Sequence, residues 1–193
     1  MEITTDSIKQ LREMTGVSVM QCKKALLEAA GDLEKATVIL KKHSAASAEK
    51  KAERALAAGA IGSYIHDGAI GAMTILSCET DFVAKNPEFA ALAREVAMQV
   101  AATAPAYTTA DEIPEDAKQA AISVFEKEVA DKPKDIREKI LDGKLASYFR
   151  DQVLLDQPFI KDESKTVRDL LNEATQKFGE RVEVSGFTRL SVH

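Results

Sequence analysis

The sequence predicts an α+β chain, in which a three-helix module leads through a helical linker into a small antiparallel sheet covered by helices. Three observations carry that prediction. Aromatic residues are only 5% of the chain and Trp is absent, while Ala is abundant, a balance suited to close helix contacts. The first 43 residues repeat apolar positions at helical spacing. Beyond Gly59 the pattern changes to strand-like runs joined by Asp67-Gly68. At 193 residues, 45% hydrophobic and 30% charged, the chain can bury the core of one domain with an appendage, or of two small ones.

Residues 1–43 form the module. Ile8, Leu11 and Met14 make one apolar stripe, ending at Thr15-Gly16. Ser18 to Gln21 has the spacing of a capping box and opens a second helix with Cys22, Ala25, Leu26 and Ala29 inward. Gly31 closes it, and Asp32 caps a third helix with Leu33, Ala36, Ile39 and Leu40 inward. Residues 44–58, rich in Ala, Lys and Glu, form a helical linker with no clear buried stripe.

Residues 59–193 form the core. Strands are expected at 61–66 and 69–78, with Asp67-Gly68 as a two-residue hairpin turn. Ile70 and Leu76 lie on one face of the second strand and Met73 and Ile75 on the other, so both faces need cover. Asn86 caps a helix with Pro87 at its first position and Phe89, Leu92, Val96 and Val100 inward. A loop over 105–114 and helices over 115–130 and 134–155 follow. A last helix spans 166–178, with Val167, Leu170, Leu171, Ala174 and Phe178 inward. The closing strand, 181–192, sets Val182, Val184, Leu190 and Val192 on one face and Phe187 on the other. Met73, Ile75 and Phe187 therefore fall on faces the helices leave open, which predicts a homodimer through the sheet.

Net charge is −5, with +2 on residues 1–55 and −7 on the remainder, which argues against direct nucleic-acid binding through phosphates. Lys41, Lys42, Lys50, Lys51 and Arg54 read as a solvated linker face. No apolar run is long enough for a membrane span, and the start has no leader-like apolar segment, so a cytoplasmic protein is expected. Cys22 and Cys78 have no motif spacing and read as reduced thiols, Cys22 packed in its helix stripe. His43, His66 and His193 lie far apart, and glycine-rich phosphate loops are absent. Glu79 and Asp81 are too few for a dedicated cation site. No catalytic constellation, metal or cofactor is expected, and the chain does not read as an enzyme. The module alone would also suit an adaptor that binds ubiquitin-like or nascent-chain partners.

The connection from Cys78 to Asn86 stands apart. It holds Asp81, Phe82 and Val83 between a strand that ends near Cys78 and a helix expected to begin at Asn86. Such connections run over the surface. Phe82 either folds back to plug the end of the sheet or protrudes as an anchor for a partner, and the local pattern favours the plug.

Thr80-Asp81-Phe82-Val83-Ala84-Lys85-Asn86 resembles the signature loop of the bacterial elongation factor Ts family. That family comprises the guanine-nucleotide exchange factors of the translational GTPase elongation factor Tu. Residues 8–16 and Met20-Gln21-Cys22-Lys23-Lys24-Ala25-Leu26 resemble its ubiquitin-associated-like N-terminal module. Gly62-Ser63-Tyr64-Ile65-His66, Gln157-Pro158-Phe159-Ile160-Lys161 and Ser164-Lys165-Thr166-Val167 resemble its core and C-terminal segments. The likeness is to a short form with one core subdomain, without the inserted coiled-coil hairpin of longer members, in which two chains pair. It implies a mechanism without nucleophile, base or metal. Phe82 would be an apolar wedge beside the GTPase's nucleotide and Mg²⁺ site, oriented by Asp81 and flanked by Thr80 and Val83. Arg12, Val19, Met20 and Lys23 would grip the GTPase's nucleotide domain, His66 would add a contact, and Ile160 and Lys161 would reach a second domain.

Overall fold

The computed structural model describes residues 3–130 and 133–192. Three helices open the chain, α1 (Thr5–Thr15), α2 (Val19–Glu28) and α3 (Leu33–Lys51). Each has a side-chain cap: Thr4, Ser18 and Asp32 accept the backbone N–H of Ser7, Gln21 and Lys35. Leu11, Val17, Cys22, Ala25, Leu26, Ala36 and Leu40 close a small core of their own. Met14 is not part of it. Placed inward by its spacing, it lies on the last turn of α1 with 63% of its surface exposed.

Of the linker expected as helix over 44–58, residues 44–51 are the second half of α3, one unbroken helix through Lys51. Residues 52–57 are not helical, and the first strand begins at Ala58. The helical part also has a buried position. Ser44 is buried against α8 (Val167–Phe178), its hydroxyl bonded to the side chain of Gln176. The module is thus seated on the core and not merely strung from it.

The core sheet has the order β1 (Ala58–His66), β2 (Ile70–Cys78) and β5 (Glu183–Ser191), antiparallel throughout. Asp67 and Gly68 turn the hairpin at φ of 48° and 69°, as a two-residue turn of this hand requires. Helix α5 (Pro87–Thr103) lies on one face, very close to β1. A Cβ at Gly62 would stand 2.1 Å from the Ala93 carbonyl, so only glycine fits there, and Thr74 donates to the same oxygen at 2.9 Å. Phe89, Val96, Val100, Leu76, Leu154, Val167 and Leu171 fill the layer between sheet and helices.

The expected alternation of β5 fails at a bulge. Ile75 pairs with Gly186 but Leu76 pairs with Val184, leaving Ser185 as the extra residue. Beyond it every side chain changes face. Phe187 pairs with buried Thr74 and packs, partly buried, on the helix-covered core. Its assignment to an open dimer face is corrected. Leu190 and Val192, expected inward, are instead 72% exposed.

One further feature was not anticipated. Residues 158–166 form a small hairpin, β3 (Pro158–Phe159) with β4 (Asp162–Thr166). Helices α6 (Glu115–Glu128) and α7 (Lys134–Gln152) pair with each other through Phe125 and Tyr148, 5.5 Å apart edge to face, and the Lys144–Glu128 ion pair at 2.7 Å. The helices expected over 115–130 and 134–155 are thus both present and pack on each other.

Candidate functional site

The connection after β2 is not irregular. Its centre is a single helical turn, α4 (Asp81–Ala84), which begins before the expected helix start at Asn86. Thr80 caps it, its hydroxyl accepting the Val83 N–H at 3.5 Å. Asn86 then caps α5 by accepting the Glu88 N–H at 2.9 Å. Successive side chains on a helical turn diverge by ~100°, so Phe82 and Val83 cannot both face inward. Val83 does, with 4% of its surface exposed, and Phe82 points out with 83% exposed. Val83 is the plug. The local preference for Phe82 in that role is overturned: the ring is exposed, as the anchor alternative requires.

Asp81 lies beside Phe82 and pairs with Lys85 at 2.6 Å. This bond and the ammonium charge hold its carboxyl below the usual carboxylate range. Glu79 turns elsewhere, accepting the Arg181 N–H at 2.6 Å and the Arg54 guanidinium at 3.2 Å. The Arg181 bond is the main cause of its own depressed pKa. Neither carboxylate shares a ligand with the other. Among the described residues, no group of three or more His, Cys, Asp or Glu side chains could hold a metal ion.

The other expected contact residues fall in two places. Arg12, Val19, Met20 and Lys23 are all exposed around the α1–α2 turn, with Val19 at 52% and Met20 at 69%. Exposed Met14, which the helical stripe misassigned, adds to that apolar surface. His66 and Ile160 come together, lining one cleft with Tyr64, Ile70, Met98 and Ala101. Tyr64 stacks on His66, and Lys161 is paired with Glu95 at 2.9 Å. Buried Gln99, which sequence reasoning missed, holds this corner: its amide donates to Gln157 and the Pro158 carbonyl, and its carbonyl accepts the Ile160 N–H at 2.9 Å. A Gln in the middle of an apolar helix stripe was the available signal.

The cleft and the α4 turn are held apart by the strand between them. His66 pairs with Ile70 and Ala58 with Cys78, so the two sites lie at opposite ends of β2, about 26 Å apart at ~3.3 Å per residue. Cys22 and Cys78 take no part. Both thiols are buried, and burial raises their pKa, which disfavours a nucleophilic thiolate.

Residues 34–193 match the family model described as Elongation factor TS. The chain is 48% identical to elongation factor Ts of Thermotoga neapolitana over 193 residues, covering 100% of this chain and 98% of that relative. It is 45% identical to elongation factor Ts of Thermodesulfovibrio yellowstonii over 193 residues, 100% of this chain and 97% of the relative. With elongation factor Ts of Prochlorococcus marinus it shares 47% identity over 194 aligned residues, 98% of this chain and 89% of the relative. Carrying the family's sequence from end to end and displaying the loop that first resembled it on a capped, outward turn, the chain belongs to the elongation factor Ts family of translation elongation factors.

Proposed function

We infer that the chain is a guanine-nucleotide exchange factor for the GTPase elongation factor Tu, and that it works by binding alone. The observation that carries this reading is Phe82: a large aromatic side chain, 83% exposed, on a turn whose neighbours are all tied down. An aromatic side chain held in water is poised to be buried by a partner. Inserted beside the nucleotide site, it would disturb the packing that holds Mg²⁺ and loosen the phosphate-binding loop. Thr80 and Val83 fix the turn, and Asp81 sits beside the ring as its polar flank.

Insertion accelerates release only if the factor binds the nucleotide-free GTPase more tightly than the loaded one. Reciprocity then requires nucleotide and factor to weaken each other. Contacts outside the wedge supply the affinity. Arg12, Val19, Met20 and Lys23 would grip one domain of the GTPase, while His66, Ile160 and Lys161, about 26 Å from the wedge, would reach another.

The active form in this reading is a cytoplasmic homodimer. Met73 and Ile75 remain its interface residues, and Ile61, Ile65, Leu190 and Val192 join them on the uncovered sheet face. Each large aliphatic side chain contributes ~1.5–3 kcal/mol when fully buried. Six per chain can exceed an association cost of ~4–15 kcal/mol. Among the described residues no helix is long and apolar enough to cross a membrane. The decisive measurement is stopped-flow release of labelled GDP from elongation factor Tu. Acceleration by the wild type and its loss in Phe82→Ala are expected, and unchanged release with the wild type would overturn the reading.

A further inference from the structure

The α4 turn is held from behind by a residue far away in sequence. Helix α8 ends at Gly179, whose φ of 75° lets the chain reverse at once, and Glu180 then faces the end of β2. One carboxylate oxygen of Glu180 accepts the backbone N–H groups of Glu79 at 3.1 Å and Thr80 at 2.9 Å. The other accepts the Thr80 hydroxyl at 2.6 Å. The hold is reciprocal, because the Glu79 carboxylate accepts the N–H of Arg181, the next residue along. Two turns roughly a hundred residues apart thus clasp each other's backbone through neighbouring carboxylates.

We propose that Glu180 is the positioning residue of the exchange wedge, fixing through Thr80 the direction in which Phe82 projects. The proposal rests on the reading of Phe82 as a wedge. Thr80 Oγ1 has two tasks: it donates to Glu180 and it accepts the Val83 N–H that starts the helical turn. Donating its proton to Glu180 leaves its lone pairs free to face Val83. With Glu180 in place the cap is oriented and the first two backbone donors of the connection are satisfied. Without it the hydroxyl can rotate, those donors turn to water, and the direction of Phe82 spreads. An interface anchor is effective only when little conformational freedom is lost on docking, so a wandering ring inserts less often. The residues involved are half-buried or exposed and outside the main apolar core, which separates their role from that of Val83.

The test is a double-mutant cycle read by GDP release from elongation factor Tu at saturating factor, using full-length chains. Glu180→Ala removes all three bonds. It is expected to slow release about tenfold, in the range set by loss of charge-assisted hydrogen bonds. Combined with Phe82→Ala it should add less than about twofold, since there is no ring left to aim. Glu180→Gln can still accept both backbone N–H groups but cannot accept from the Thr80 hydroxyl, so its loss should be intermediate and its fold secure. Amide hydrogen exchange supplies a readout independent of the GTPase: the Glu79 and Thr80 amides should lose protection in Glu180→Ala. Equal losses in the wild-type and Phe82→Ala backgrounds would mean that Glu180 acts elsewhere and would overturn the proposal. Wild-type release in both Glu180 variants, or unchanged protection of the two amides, would do the same. If Phe82→Ala alone leaves release intact, the wedge itself is refuted, an outcome visible without any Glu180 variant.

Discussion

Two of the regions that expose apolar surface do so in opposite ways. At α4 it is a point: one aromatic ring on a helical turn capped by Thr80 at its start and by Lys85 at its end. On the open side of the sheet it is an area: Ile61, Ile65, Met73, Ile75 and Leu190 on three strands and Val192 just beyond, all exposed among the described residues. In the proposed mechanism the point enters a crevice and works by displacement. An area has nothing to enter and is matched by another flat surface of similar composition, which a second copy of the same chain would provide in the proposed dimer. Exposure alone does not separate the two, since Ile65 at 72% is nearly as bare as Phe82 at 83%. The geometry of the mount does.

The largest effect is expected from breaking the area. Ile75→Glu places a carboxylate on the exposed sheet face that the proposed dimer would bury. Burying unpaired charge costs several kcal/mol, so the dimer dissociation constant should rise at least ~100-fold. Sedimentation equilibrium at micromolar concentration should find the variant monomeric and the wild type dimeric. A monomeric wild type would remove the dimer altogether. Breaking the point is expected to leave assembly intact and to act on activity directly. Phe82→Ala should slow GDP release about thirtyfold, the equivalent of ~2 kcal/mol at an aromatic anchor. Its melting temperature should match that of the wild type, because the side chain is 83% exposed and outside the buried core. A clear drop in melting temperature would return Phe82 to the plug role that Val83 now occupies.

The two faces of the sheet can be separated in the same way. Phe187 lies on the covered side, beside Thr74 and against the main core. Phe187→Ala should therefore lower stability and leave the dimer interface unaltered. Full burial of Phe would put the cost at ~3–5 kcal/mol, and partial burial reduces it to about 2. Chemical denaturation should register that loss. A Phe187→Ala chain of wild-type stability that dissociates into monomers would place the ring back on the open face.

Phe187 also shows where sequence reasoning ends. Helices with a side-chain cap and a three-to-four-residue stripe were legible, because each turn repeats the same evidence. The strands of the hairpin were legible through Asp67-Gly68 and the doubly apolar β2. The face of Phe187 was not, because alternation carries no memory of an inserted residue: one bulge at Ser185 inverts everything after it. The available signal was Gly186, an isolated glycine in a strand, next to the bulge. Helix α4 was missed because four residues are too few to show a period, although Thr80 has the spacing of a cap to Val83. Ser44 and Glu180 are beyond local pattern entirely. Their partners, Gln176 and Thr80, lie more than ninety residues away, and only the folded chain brings them together.

The smallest effect is expected at Asp81, and its sign can be worked out in advance. The Lys85 ammonium, in contact at 2.6 Å, lowers the Asp81 pKa, and Asp81 in turn raises that of Lys85. A carboxylate whose folded-state pKa is depressed favours the folded turn above its unfolded pKa, and loses that contribution as pH falls through the folded value. Both groups are therefore charged from about pH 6 to pH 8, and the pair contributes without change across that range. The pair is also fully open to water, where ion pairs are weak. Asp81→Asn keeps the size of the side chain and removes its charge, so GDP release should slow by only about two- to threefold. The ratio of wild-type to Asp81→Asn rates should stay flat between about pH 6 and 8, and should narrow only in acid as the wild-type carboxylate takes up its proton. A loss as large as that of Phe82→Ala would make Asp81 a contact to the GTPase in its own right and end the distinction between a single wedge and its mount. A ratio that changes within the neutral range would mean that some other titrating group, and not the Asp81–Lys85 pair, sets the charge beside the ring.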